Sequence, residues 1–223
     1  MSFSDLLAGQ AGSNGFLGTE GVLNHLQFDS SPSQRRRGGF KIAYFGSMRF
    51  PLFRHNPAAN LNQKESIPES VCAKQAFYHA SSNNQVVPYL GPAAITRMIM
   101  ELRCLVWAQA LLEIVYDLMT EFDFENGGSP DGLNRPVFQF VAASLAVEQG
   151  KETRDTQAFL VEELISEGRF RKYLDNASPI PCLFPPDDVE NLERAEFLAF
   201  TQHVQYWKTN KLVFVADYQG KVV

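Results

Sequence analysis

Asp217 and Gln219 stand two residues apart, directly behind the apolar run 212–216. On an extended backbone that spacing aims both side chains at one face. A carboxylate beside an amide oxygen is a pair of hard ligands, suited to Mg²⁺ next to a phosphate. Gly220 follows, where the backbone can turn or come close to a ligand. A second chemical residue is Lys74, set inside the mostly apolar stretch 70–78. A buried ammonium is costly unless it is paired or faces a ligand, so Lys74 is either an edge residue or a site residue. A third is Lys41, just after Gly38-Gly39. Two glycines before a strand allow a tight turn near a phosphate. The same residue also reads as a surface lysine on an edge strand.

Elements must position these groups. Phe40, Ile42 and Tyr44 alternate with Lys41 and Ala43, which predicts a strand over 40–46; 70–78 reads as another. Pro92 opens the longest helical pattern, about 93–119, with Ile95, Met98, Leu102, Leu105, Val106, Leu112 and Val115 on one stripe. Gln109 is the polar interruption on that stripe. Glu101 and Glu113 are its interior acids, and by position Glu101 is the expected partner of Lys74. The run 137–142 is a strand candidate, and 159–164 reads as a strand entering a linker with a turn at Gly168. Asp187-Asp188 begins a helix that ends near His203. The β-branched run 212–216 predicts a short buried strand. Residues 1–37 lack sustained periodicity and read as a disordered arm, with Arg35-Arg36-Arg37 as a solvated linker. Residues 47–68, broken by Pro51, Pro57 and Pro68, read as a loop.

The order and spacing of these groups resemble the alpha-kinases, the atypical protein kinases. In that family a His lies fourteen residues before the Asp of an Asp-Leu-Gln-Gly motif. Here His203 lies fourteen residues before Asp217-Tyr218-Gln219-Gly220. The segment Val71-Cys72-Ala73-Lys74 resembles the strand carrying the phosphate-binding lysine, and Lys41 the basic residue after the Gly-containing turn. The family also shows a Glu, a Gly-x-Phe-x-Lys-Tyr run, and an Asn thirteen residues after the Glu. Glu163 and Asn176 match that spacing, with Gly168-Arg169-Phe170-Arg171-Lys172-Tyr173 between them. Glu162 is the competing choice for the Glu. Leu174-Asp175 departs from the Asn-rich sequence the family often has there.

The resemblance implies an α+β fold, two-lobed and protein-kinase-like, with an N-lobe at about 38–165 and a partial C-lobe at about 166–223. It implies ATP and Mg²⁺ as cofactors and a Ser or Thr hydroxyl of a protein substrate as phosphoryl acceptor. Lys41, Lys74, Glu101, Glu163, Ile165 and Asn176 would serve the nucleotide. Lys74, Asp217 and Gln219 would be catalytic, and Asp217, Gln219 and His203 would face metals. The family motif continues into a Thr-Asp-Pro acid and further zinc ligands, whereas the chain ends at Val223. The expectation is therefore a C-terminally truncated domain with an incomplete C-lobe, holding zinc only if the missing ligands are supplied. A truncated, inactive module that binds nucleotide or a protein partner is the alternative.

Composition bounds the remaining classes. Hydrophobic residues make up 45% and charged residues 20% of the chain, so a core can form. A net charge of −5 gives no electrostatic reason to expect a nucleic-acid partner. Three cysteines, Cys72, Cys104 and Cys182, argue against a disulfide framework. No eighteen-residue apolar run and no basic-then-apolar leader occur, so no membrane association is expected and the cytoplasm is the expected compartment.

Overall fold

A computed structural model describes residues 25–28, 35–48, 69–81, 84–129, 135–164 and 170–221. They form a mixed α+β structure divided into two compact units, one holding the described residues of 16–105 and 141–164, the other those of 106–140 and 165–223.

The first unit is built on an antiparallel sheet. Its strands are β1 (Leu26–Phe28), β2 (Arg35–Arg37), β3 (Lys41–Met48), β4 (Glu69–His79), β5 (Val86–Pro88), β6 (Ala143–Val147) and β7 (Ala158–Glu163). The main order is β1-β3-β4-β7-β6, with β2 also pairing β3 and β5 pairing β4. Alternation along each strand sorts the side chains between two faces. Ile42, Tyr44, Val71, Ala73, Phe77, Phe159 and Val161 pack together with Phe28 on one face. Ala76, Ala158 and Leu160 pack on the other against Ala94, Met98 and Leu102 from helix α1 (Gly91–Glu125). The core stripe expected on this helix thus meets the sheet through Met98 and Leu102.

Parts of the expected arm are sheet strands. β1 pairs with 46–48 and the arginine run, as β2, with 42–44, closing a hairpin in which the Gly38 N–H donates to the Lys41 carbonyl at 2.9 Å. Three arginines form a strand here because β3 supplies a ladder, which no local propensity signals. The rest of the arm, 1–24 and 29–34, and residues 49–68 with Pro51, Pro57 and Pro68 lie outside the described residues. Gly46 is required where β1 crosses: a Cβ there would sit 2.2 Å from the Gln27 carbonyl and 2.7 Å from Phe28 Cβ.

The second unit holds the rest of α1, the two-residue ladder of β8 (Arg171–Lys172) and β9 (Gln219–Gly220), and helix α2 (Val189–Lys208). Its core joins Tyr173, Leu174, Ala195, Leu198 and Tyr218 with Phe138, Phe140 and Val215. Two expected strands are absent. Residues 135–142 and 213–218 carry no ladder. Side chains of the helices pair with several of their backbone groups instead. Gln109 accepts from the Phe140 N–H at 3.3 Å, and the Tyr116 hydroxyl accepts from the Phe138 N–H at 2.7 Å. Gln205 accepts from the Val215 N–H at 2.9 Å, while the Gln202 amide donates to the carbonyls of Val215 and Ala216. Buried polar backbone must be paired by something, and here amides and hydroxyls replace a neighbouring strand. Among the described residues no helix is long and apolar enough to cross a membrane.

Candidate active site

In the sheet unit, register decides which charges meet. β3 and β4 align Ala43 with Lys74 and Lys41 with Ala76, so both lysines project from the same face as diagonal neighbours. β7 aligns Leu160 with Lys74 and Glu162 with Cys72, which puts Glu162 on that face too. The Lys74 ammonium donates to Glu162 at 2.5 Å, and Lys41 donates to Glu101 of α1 at 2.5 Å. Glu101 was the expected partner of Lys74; it holds Lys41 instead, because β7 delivers a carboxylate next to Lys74 first. Glu162 is 8% exposed and Lys74 keeps 30% of its side chain open. A buried carboxylate with a half-open ammonium fixes the cation while leaving hydrogens free for an anion.

Glu163 alternates to the other face. It stands opposite Val71, which packs in the cluster away from α1, and its carboxylate lies 3.5 Å from the Ala142 amide. Its own N–H, at the last residue of β7, donates to the Ala142 carbonyl at 2.9 Å. Ile165 and the Gly168 turn lie outside the described residues. Cys72 shares the face of Lys74 and Glu162. Burial pushes its thiol up, with Lys74 pulling it down and Glu162 adding to the rise.

In the helical unit, Tyr218 is the anchor. It is buried, its oxygen accepts from the Gln205 amide at 2.9 Å, and it lies 3.2 Å from the Thr201 hydroxyl. Burial raises its phenol above the ordinary 10.0. With Tyr218 turned inward, Asp217 and Gln219 on either side turn outward, and both are exposed. Lys172 stands opposite Gln219 in the ladder, and its ammonium lies 3.4 Å from Asp217 Oδ1. Asn176 is exposed in a turn whose backbone is capped by its neighbour: the Asp175 carboxylate accepts from the Ala177 and Ser178 N–H groups at 2.7 and 3.1 Å. His203 is exposed on α2, and the described residues contain no group of three His, Cys, Asp or Glu able to hold a metal ion.

The sheet unit thus holds two cations against carboxylates on one face, and the helical unit exposes a carboxylate and an amide on either side of the anchored Tyr218. A model of the alpha-kinase family matches residues 53–223. The chain belongs to the alpha-kinase family. No curated protein and no solved structure matches it. Membership carries a kinase-type function, with ATP and Mg²⁺ as the cofactors the family uses and a protein as phosphoryl acceptor. Every site residue named above lies in the matched span except Lys41, which precedes it.

As an alpha-kinase the chain should hold magnesium. Asp217 and Gln219 fit that ion: Mg²⁺ prefers oxygen, takes one or two protein donors, and fills the rest of its shell with water and phosphate. Zinc does not fit the residues described, since His203 belongs to no such ligand group and a structural zinc needs about four ligands. The thirteen-residue spacing to Asn176 favours Glu163 over Glu162, and it leaves Lys172 without a role. The alternation Leu160-Val161-Glu162 against Val71-Cys72-Ala73-Lys74 was the available signal for Glu162. For Lys172 it was the basic residue inside the Gly-x-Phe-x-Lys-Tyr run.

Proposed function

We propose that this alpha-kinase transfers the γ-phosphoryl group of ATP to a Ser or Thr hydroxyl of a protein. The observation that carries this reading is the Lys74–Glu162 pair: a half-open ammonium held at 2.5 Å by a nearly buried carboxylate. Lys74 binds phosphate oxygens and keeps them in place, and Glu162 holds the ammonium in position between turnovers. Lys41, held by Glu101, adds a second positive charge on the same face of the sheet. Positioning and charge neutralisation are most of what phosphoryl transfer asks of a protein. Glu163, Ile165 and Asn176 remain our candidates for contacting the nucleotide.

Asp217 and Gln219 would hold magnesium, which when bound would supply positive charge to offset that of the phosphates. In the transfer, the acceptor oxygen forms a bond to the γ-phosphorus as the bond to the β-bridging oxygen breaks. ADP leaves, and the hydroxyl proton passes to solvent or to an adjacent carboxylate. Asp217 is the candidate for orienting that hydroxyl if it is not on the metal.

The test uses γ-labelled ATP with the whole chain, following autophosphorylation and label on a generic acceptor protein, with a thermal melt in Mg·ATP alongside. Lys74→Met should lower transfer by about a hundredfold or more while the apo melting temperature moves by only a few degrees. Stabilisation by Mg·ATP without label transfer would instead mark a nucleotide-binding module. Neither stabilisation nor transfer would end the kinase reading for this chain.

A further inference from the structure

Lys172 occupies the position from which a cation reaches Asp217. Its backbone is fixed from both sides. Arg171 pairs with Asp188 at 3.2 Å, and Tyr173 is 3% exposed with its hydroxyl donating to Asn191 at 3.1 Å. Asn191 in turn donates to Asp188 at 2.6 Å, tying β8 to the start of α2. Opposed residues of an antiparallel ladder share a face, so Lys172 and Gln219 do, and Asp217 joins them two residues before Gln219. The anchored Tyr218 fixes that arrangement. The fold thus presents the two hard ligands together with one ammonium, 3.4 Å from the carboxylate. Both partners are close to half exposed, at 45% and 41% of their side chains. An open pair of this kind is weak, because water screens it and a long side chain must be ordered to make it. It can be given up.

We propose that Lys172 is the resident counter-cation of Asp217, and that a divalent cation enters by displacing its ammonium. Lys172 then sets the metal concentration at which the site fills. It acts through Asp217, as a positioning residue. The proposal rests on the reading of Asp217 and Gln219 as metal ligands. One consequence is charge economy: the carboxylate is never left bare, and binding exchanges one cation for another. A second is that the freed ammonium becomes available to an anion arriving with the metal.

The experiment titrates the nucleotide-free chain with Mn²⁺ alone, read by water-proton relaxation, for the native chain and the variants Lys172→Met, Lys172→Arg, Asp217→Asn and Lys172→Met/Asp217→Asn. Circular dichroism melts check that each variant folds; the exposure of Lys172 predicts little change for its substitutions. The expected result is Mn²⁺ binding that Asp217→Asn abolishes, that Lys172→Met tightens at least about threefold, and that Lys172→Arg leaves near the native value. In the Asp217→Asn background, Lys172→Met should change nothing. Asp217-dependent binding that Lys172→Met leaves unchanged or weakens overturns the counter-cation role and spares the metal site. Binding indifferent to Asp217→Asn overturns both.

Discussion

At the scale of single residues, the charge on Lys74 is useful only because something else bears the cost of holding it at a sheet surface. Glu162 does this from a nearly closed position, 2.5 Å away. Glu163, one residue on, cannot, since alternation turns it to the face of Val71. The two glutamates therefore differ in what their loss should do. Glu162→Gln removes the countercharge of a half-buried ammonium and should cost about 1–3 kcal/mol in urea unfolding. It should also raise KM for ATP about tenfold, because Lys74 is no longer held. Glu163→Gln loses a surface carboxylate and should shift stability by less than about 0.5 kcal/mol. A change in KM confined to Glu163→Gln would instead favour that residue as the nucleotide contact. Cys72 offers a check on the same face. Its thiol is held up by burial, so little thiolate forms at neutral pH and alkylation should be slow, with exposed Cys104 reacting first in peptide mapping.

At the scale of elements, the helical unit hangs extended segments on helices instead of adding them to a sheet. Gln202 and Gln205 on α2 and Thr209 at its C-terminal cap are buried polar residues, and each serves the backbone of 213–216. This is why Leu212 and Phe214 stay exposed although their run looks like a core strand. Gln205→Leu has nearly the right volume and no amide, and it orphans the Val215 N–H. It should destabilise by about 2–3 kcal/mol in equilibrium unfolding, an unpaired buried donor being the main cost. Because it also releases Tyr218, it should weaken the Asp217-dependent metal binding proposed above. In the sheet unit, Gly46→Ala should detach β1 from β3, seen as lost amide-exchange protection at 26–28, since the added methyl collides with backbone.

At the scale of the whole molecule, four tyrosines, Tyr44, Tyr116, Tyr173 and Tyr218, have phenols raised above 10.0, in each case first by burial. The folded state prefers the neutral phenol. Their contribution to stability is therefore complete below the unfolded value near 10 and is lost as pH rises through the higher folded values. The melting temperature should be insensitive to these groups at neutral pH and fall above about pH 10, in step with phenolate absorbance. Tyr218→Phe should flatten that decline.

Long segments were legible from local sequence: β3 lies where alternation puts it, β4 and β7 where apolar stretches of strand length do, and α1 and α2 where 3.6-residue spacing does, because each must bury apolar side chains in a core. The family was legible too, through the spacing of His203, Asp217 and Gln219 and the run from Glu163 to Asn176. Short elements were not. The strand of three arginines exists only because β3 offers hydrogen bonds, and the runs 137–142 and 212–216 lack a ladder only because α1 and α2 present amides and hydroxyls to them. Nor could ion-pair partners be read. The sequence by itself determined which residues carry charge, which faces must be buried and which family the chain belongs to. The tertiary structure decided that Lys74 meets Glu162, Lys41 meets Glu101 and Lys172 meets Asp217, because the partners come from different elements: the first pair depends on strand register, which a slip of one residue would undo, the second on the packing of α1 against the sheet, and the third on the β8–β9 ladder beside Asp217.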